Sequence, residues 1–131
     1  MKPNVYDATS TVEELELKAS GRRLIYLPTE KIKVIEVANF PMLGKLTALR
    51  FIEWVLKNPG GVISLPTGKT PEHFIKWVNR ILERWETPEI KSFLQSFGIE
   101  SSKRPDMKSL SFVQIDEFYP IDARQANSFH Y

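Results

Sequence analysis

Apolar positions along the chain alternate between helical and extended patterns. Pro41 opens a helix that runs to about Lys57. Leu46, Leu49, Ile52, Val55 and Leu56 cover most of its circumference, while Arg50, Glu53 and Lys57 share one face. Asn58-Pro59-Gly60-Gly61 ends it. Val62-Ile63-Ser64-Leu65 follows, a short apolar run between glycine and proline, as expected of a buried parallel strand. Phe74, Val78, Ile81, Leu82 and Trp85 then recur at helical spacing, predicting a helix from Pro71 to about Trp85 with Thr70 as its cap. A further helix is predicted from Pro88 to Phe97, stopped at Gly98. Residues 100–109 are polar and read as a loop. Leu110 to Ile115 is a second apolar strand that runs into Asp116-Glu117. Upstream the signals are weaker. Residues 11–19 form a short helix capped by Ser10 or Thr11 and stopped by Gly21, and residues 32–37 alternate like a strand or extended arm. Helix alternating with strand predicts an α/β chain with a parallel sheet joined by right-handed crossovers.

Composition narrows the function classes. The 131 residues are one domain's worth, and 42% apolar with 26% charged is ordinary globular usage. Eighteen basic against 16 acidic side chains leave a net charge of +2, too even to argue for a nucleic-acid or anionic-membrane partner. No apolar run approaches the ~20 residues of a membrane span. Early acids at Asp7, Glu13, Glu14 and Glu16 do not suit a signal peptide, so a cytoplasmic protein is expected. Without cysteine there is no disulfide framework, thiolate metal site or cysteine nucleophile. No metal or cofactor is expected.

Two segments stand at the carboxyl ends of the predicted strands, where open parallel sheets bind ligands. In Leu65-Pro66-Thr67-Gly68-Lys69-Thr70-Pro71, a strand end, a glycine turn and a helix start come together. Free amides at a helix N-terminus suit a phosphate. Gly68 lets a backbone approach closely, Thr67 and Thr70 add hydroxyls, and Lys69 adds a charge. The same residues also read as an ordinary strand-to-helix turn. The second segment is Ile115-Asp116-Glu117-Phe118-Tyr119. Successive side chains alternate in direction, so one of Asp116 and Glu117 can face a ligand while the other makes a structural contact. An acid beside an anion site can move a proton at a sugar carbon; a solvated acidic turn is the plainer reading. Gly68-Lys69-Thr70 matches the end of a nucleotide-binding P-loop, but the glycine that motif requires earlier falls at Ile63, inside a strand. Pro71 also removes an amide. An NTPase is therefore set aside.

Together the two segments resemble the glucosamine-6-phosphate deaminase/isomerase family, within the 6-phosphogluconolactonase-like superfamily. Leu65 to Pro71 is similar to that family's LPTGGTP loop, Ile115 to Tyr119 to its MDEY segment, and Ala126 to His130 to the PESYH that follows. The resemblance covers about residues 40–131. It implies a Rossmann-like parallel sheet with flanking helices and a phosphosugar substrate. The implied reaction converts glucosamine 6-phosphate and water to fructose 6-phosphate and ammonia, without metal or organic cofactor. Asp116 matches the aspartate that carries a proton between C2 and C1. Thr67, Gly68 and Thr70 match the loop holding the substrate and its phosphate. Lys69 stands in place of the second family glycine and can strengthen phosphate binding or crowd the site. Glu117 is a possible second acid. The intact protein is expected to be a homo-oligomer.

The sequence contains no counterpart of the family's later glycine-rich segment with its ring-opening histidine. His73 and His130 are read as structural, and Trp54, Trp77 and Trp85 as core or subunit contacts. Lys103-Arg104 reads as solvated, and neither Tyr119 nor Arg124 is assigned to the site. With two or three strands and a last possible helix cap at Ser128, the chain reads as an incomplete domain. Residues 1–40 are expected to be an N-terminal extension or arm. Residues 41–131 are expected to be the N-terminal part of a larger phosphosugar isomerase/deaminase-like α/β domain, inactive by itself. Two alternatives stand beside this reading: a lactonase on the same scaffold, and a non-catalytic phosphosugar-binding module. Release of ammonia, release of acid, or binding without turnover separates the three.

Overall fold

The computed structural model describes residues 6–20, 35–116 and 119–126. Among them are four α-helices, α1 (Thr11–Ser20), α2 (Phe40–Lys57), α3 (Glu72–Glu83) and α4 (Pro88–Ser96). A 3-10 turn at Met107–Ser109 interrupts the predicted loop. Two strands, β1 (Val62–Leu65) and β2 (Ser111–Gln114), pair in parallel with Val62 opposite Ser111 and Leu65 opposite Gln114. The chain is thus mixed α/β, with helices between the two paired strands as the alternation of patterns predicts. No helix among the described residues is long and apolar enough to cross a membrane.

Local chemistry accounts for the helix ends. Asn39 caps α2 by accepting from the Met42 amide at 3.0 Å, with Pro41 in the first turn where no amide is missed. Thr87 does the same for α4, accepting from Ile90. Gly98 takes φ +70°, and the amides of Gly98 and Ile99 donate back to Gln95 and Leu94. This is a Schellman closure, with buried Ile99 and Leu94 as its apolar pair. Ser10 caps α1, its hydroxyl accepting from the Glu13 amide at 3.0 Å; the expected stop at Gly21 lies outside the described residues.

The core lies among the helices. Leu49, Ile52 and Val55 of α2 meet Phe74, Val78 and Ile81 of α3, with Trp85, Ile90, Leu94 and Val12 closing around them. Gly44 permits the closest approach. A Cβ there would lie 2.7 Å from the His73 carbonyl carbon and 2.8 Å from the Phe74 amide nitrogen, both backbone atoms. The Lys45 ammonium, next along, sits 5.1–5.8 Å from the ring centres of Trp77, Phe93 and Phe97, a cation–π contact joining α2 to α3 and α4.

The polar face of α2 is the docking site of the N-terminal residues. Glu53 is 4% exposed. Its carboxylate accepts from the Ser10 hydroxyl at 2.6 Å and the Thr11 amide at 2.7 Å, so it supplies an acceptor at the start of α1. Arg50 donates to Glu13 and to the Ala8 carbonyl, and Lys57 donates to the Thr9 carbonyl. The Asn58 amide clasps both backbone groups of Asp7. Asp7 itself accepts from the Thr9 hydroxyl and amide, which hold its carboxyl below the usual 3.8. A lowered folded-state value supports the fold above that pH, and the support fades as pH falls through and below it. Tyr6 stacks obliquely on Trp54, and its hydroxyl accepts from the Val62 amide. The carbonyl of that same trans peptide accepts from Ser111, so the first peptide of β1 is satisfied on both sides.

One expectation needs correction. The strands are not buried: Phe112, Val113 and Val62 are each at least half exposed. Only Ile63 and Leu65 turn toward the helices, and they are half-buried, because among the described residues only one face of the sheet is packed. The strand or extended arm expected at 32–37 falls partly outside the described residues. Its described part, Ile35–Val37, has no regular structure and pairs with no described strand.

Candidate functional site

The parallel register builds the site. Leu65 and Gln114 are the last paired residues of β1 and β2. Continuing that register two residues past the sheet brings Thr67 opposite Asp116, with neighbouring strands ~4.8 Å apart. The side chains meet: the Thr67 hydroxyl donates to Asp116 Oδ1 at 2.8 Å. Period-two alternation also puts Gln114 on the same side as Asp116, and its Nε2 donates to the Asp116 carbonyl at 3.0 Å. Two loops separated by 49 positions are therefore joined at the carboxyl end of the sheet.

Beside this junction lies a groove of about 300 Å³, lined by Thr67, Gly68, Pro71, Ile75, Phe112 and Gln114 among others. Gly68 adopts φ +79°, and a Cβ there would meet nothing within 4 Å. The left-handed turn favours glycine, and the space around it is open. Lys69 and Thr70 are exposed. Within the described residues the Lys69 ammonium has no carboxylate within ion-pair distance, and the Thr70 hydroxyl has no hydrogen-bond partner.

Thr70 is not the helix cap that the sequence predicts. The Glu72 amide donates to the Lys69 carbonyl at 3.1 Å, so the chain enters α3 through a tight turn with Pro71 at the cap position. That turn consumes the first helical amide, and the backbone of His73 and Phe74 lies against Gly44. What stays open to a ligand is Gly68, Lys69 and Thr70. Glu72 is held below the usual carboxylate range, first by the hydrogen bond from Lys76 and then by that lysine's charge, with a smaller contribution from Lys69.

His73 is half-buried in the first turn of α3. Arg124 forks onto Asp122 at 2.6 and 3.0 Å, and Tyr119 is almost fully exposed. Glu117 and His130 lie outside the described residues, as do residues 127–130 of the third matched segment. Among the described residues no cluster of three or more histidine, aspartate or glutamate side chains could hold a metal ion. Gln114 joins the site through strand alternation, which sets it on the same side as Asp116 and is legible in the sequence.

Comparison with protein-family models, with curated proteins and with solved structures finds no match for this chain.

Proposed function

We propose that the two joined loops form the phosphosugar site of an aldose–ketose isomerase of the glucosamine-6-phosphate deaminase type, on a Rossmann-like sheet. The observation that carries this reading is the Thr67–Asp116 hydrogen bond at the ends of adjacent parallel strands. It unites the two segments whose sequences resemble that family. Lys69 is a cation without an ion-pair partner among the described residues, beside an open glycine turn, and such a pair suits the dianionic phosphate of a sugar 6-phosphate. Asp116 is exposed and has one oxygen engaged by Thr67, which itself lines the groove. Its other oxygen takes the proton from C2 of the open-chain amino sugar and returns it to C1. One amino proton passes to O1 as C1 gains its proton, so O1 becomes a hydroxyl and the C2–N bond an imine, and water hydrolyses the imine to the ketose and ammonia.

Calorimetric titration of the chain tests the binding half of this reading. Glucosamine 6-phosphate is expected to bind saturably and at least about tenfold more tightly than glucosamine, since a charge-assisted contact adds roughly 1.5–3 kcal/mol. Equal affinities for the two sugars, or no binding of either, would defeat it.

A further inference from the structure

We propose that Thr67 and Gln114 are positioning residues for Asp116, and that Thr67 does not serve the phosphate. This inference rests on the reading of Asp116 as the proton-transferring acid. A threonine hydroxyl has one proton to donate. Here that proton goes to Asp116 Oδ1 at 2.8 Å, so it is not available to a phosphate oxygen while the contact lasts. Branching at Cβ also restricts χ1 of threonine, which limits the positions its hydroxyl oxygen can take. The side-chain amide of Gln114 holds the other part of the residue, donating to the Asp116 carbonyl at 3.0 Å. One contact fixes the carboxylate and the second fixes the backbone that carries it. Oδ2 makes no hydrogen bond among the described residues and is the oxygen left to exchange a proton.

The loop thereby divides its work. Thr67 at its first position faces the acid, while Gly68, Lys69 and Thr70 remain for the anion. The division follows from the strand register. Only the residue two past Leu65 falls opposite Asp116, and the next residue turns away through the positive φ of Gly68. A phosphate-binding role for Thr67 and a positioning role predict different losses when its hydroxyl is removed.

The test uses Thr67→Val, Thr67→Ser and Gln114→Leu in the full chain. Side-chain scalar couplings read the χ1 angle of Asp116, and calorimetry reads affinity for glucosamine 6-phosphate. Wild type and Thr67→Ser are expected to show one Asp116 rotamer, and Thr67→Val an average of several. Affinity in Thr67→Val is expected to stay within about twofold of wild type, since the lost interaction is not made to the ligand. Gln114→Leu, at an exposed position, removes the second contact to Asp116 and serves as the second variant. The proposal is overturned if Asp116 keeps a single rotamer in both Thr67→Val and Gln114→Leu. A roughly tenfold weaker affinity in Thr67→Val with the rotamer unchanged overturns it as well, because that is the pattern of a phosphate ligand. If the wild-type chain does not bind the phosphosugar at all, the proposed function fails, while the rotamer comparison still decides the positioning role.

Discussion

Asp116→Asn is expected to retain binding of glucosamine 6-phosphate and to lose proton exchange at the sugar's C1 and C2. The amide keeps the size of the carboxylate, and its oxygen can still accept from Thr67, so the geometry of the loop junction survives. What it cannot do is take up a proton at the operating pH. Positioned general acid–base groups contribute about 10²–10⁴-fold to rate, and exchange should fall by that order. Proton magnetic resonance in deuterated water follows the C1 and C2 signals directly, in whatever form of the protein turns over, with affinity measured on the same sample. Loss of exchange at unchanged affinity assigns Asp116 to chemistry. Normal exchange in the variant would remove it from the mechanism and take the isomerase reading with it.

The second large effect concerns the fold. Glu53→Ala should destabilise the protein by about 3 kcal/mol or more, the usual consequence of breaking a buried charged contact. Glu53 is nearly inaccessible and answers the Ser10 hydroxyl and the Thr11 amide, with Lys57 at 3.5 Å and Arg50 at 3.6 Å balancing its charge. Its removal leaves two part-buried donors at the start of α1 and two cations without their shared partner. Val12, fully buried on the same helix, then loses the contact that seats it. Glu53→Gln retains an acceptor oxygen and should lose less. Urea denaturation of the two variants checks both the size and the order of the effects. A loss below about 1 kcal/mol in Glu53→Ala would mean that the N-terminal residues are not held by this carboxylate.

The contrast between these two sites explains what the sequence reveals and what it hides. Helix α2, helix α4 and both strands are legible because their signals are local: Pro41, Pro88 and Gly98 punctuate them, and apolar spacing fills them. The face shared by Arg50, Glu53 and Lys57 is equally visible. Its partner is not, because the matching donors at the start of α1 lie 42 and 43 positions earlier, and no local pattern links them to this face. Thr70 misleads as a cap because the turn closed by the Lys69 carbonyl satisfies the first amide of α3 instead. The exposed strands mislead for a related reason. An apolar run states what a residue can bury, while the packing around it decides whether it does; here Phe112 and Val113 meet no covering layer among the described residues. At the candidate site, both loops are legible as strand ends. Their contact is not, because it depends on a register that only the paired strands define.

On the proposed reading the Thr67–Thr70 loop and Asp116 act as one phosphosugar site. An amide correlation spectrum of the labelled chain, recorded while glucosamine 6-phosphate is added, tests it most directly. Saturable shifts are expected at Gly68, Lys69, Thr70 and Asp116 with one common dissociation constant, and the same shifts with glucosamine only at roughly tenfold or more higher concentration. Shifts confined to other surfaces, or separate constants for the two loops, would contradict it.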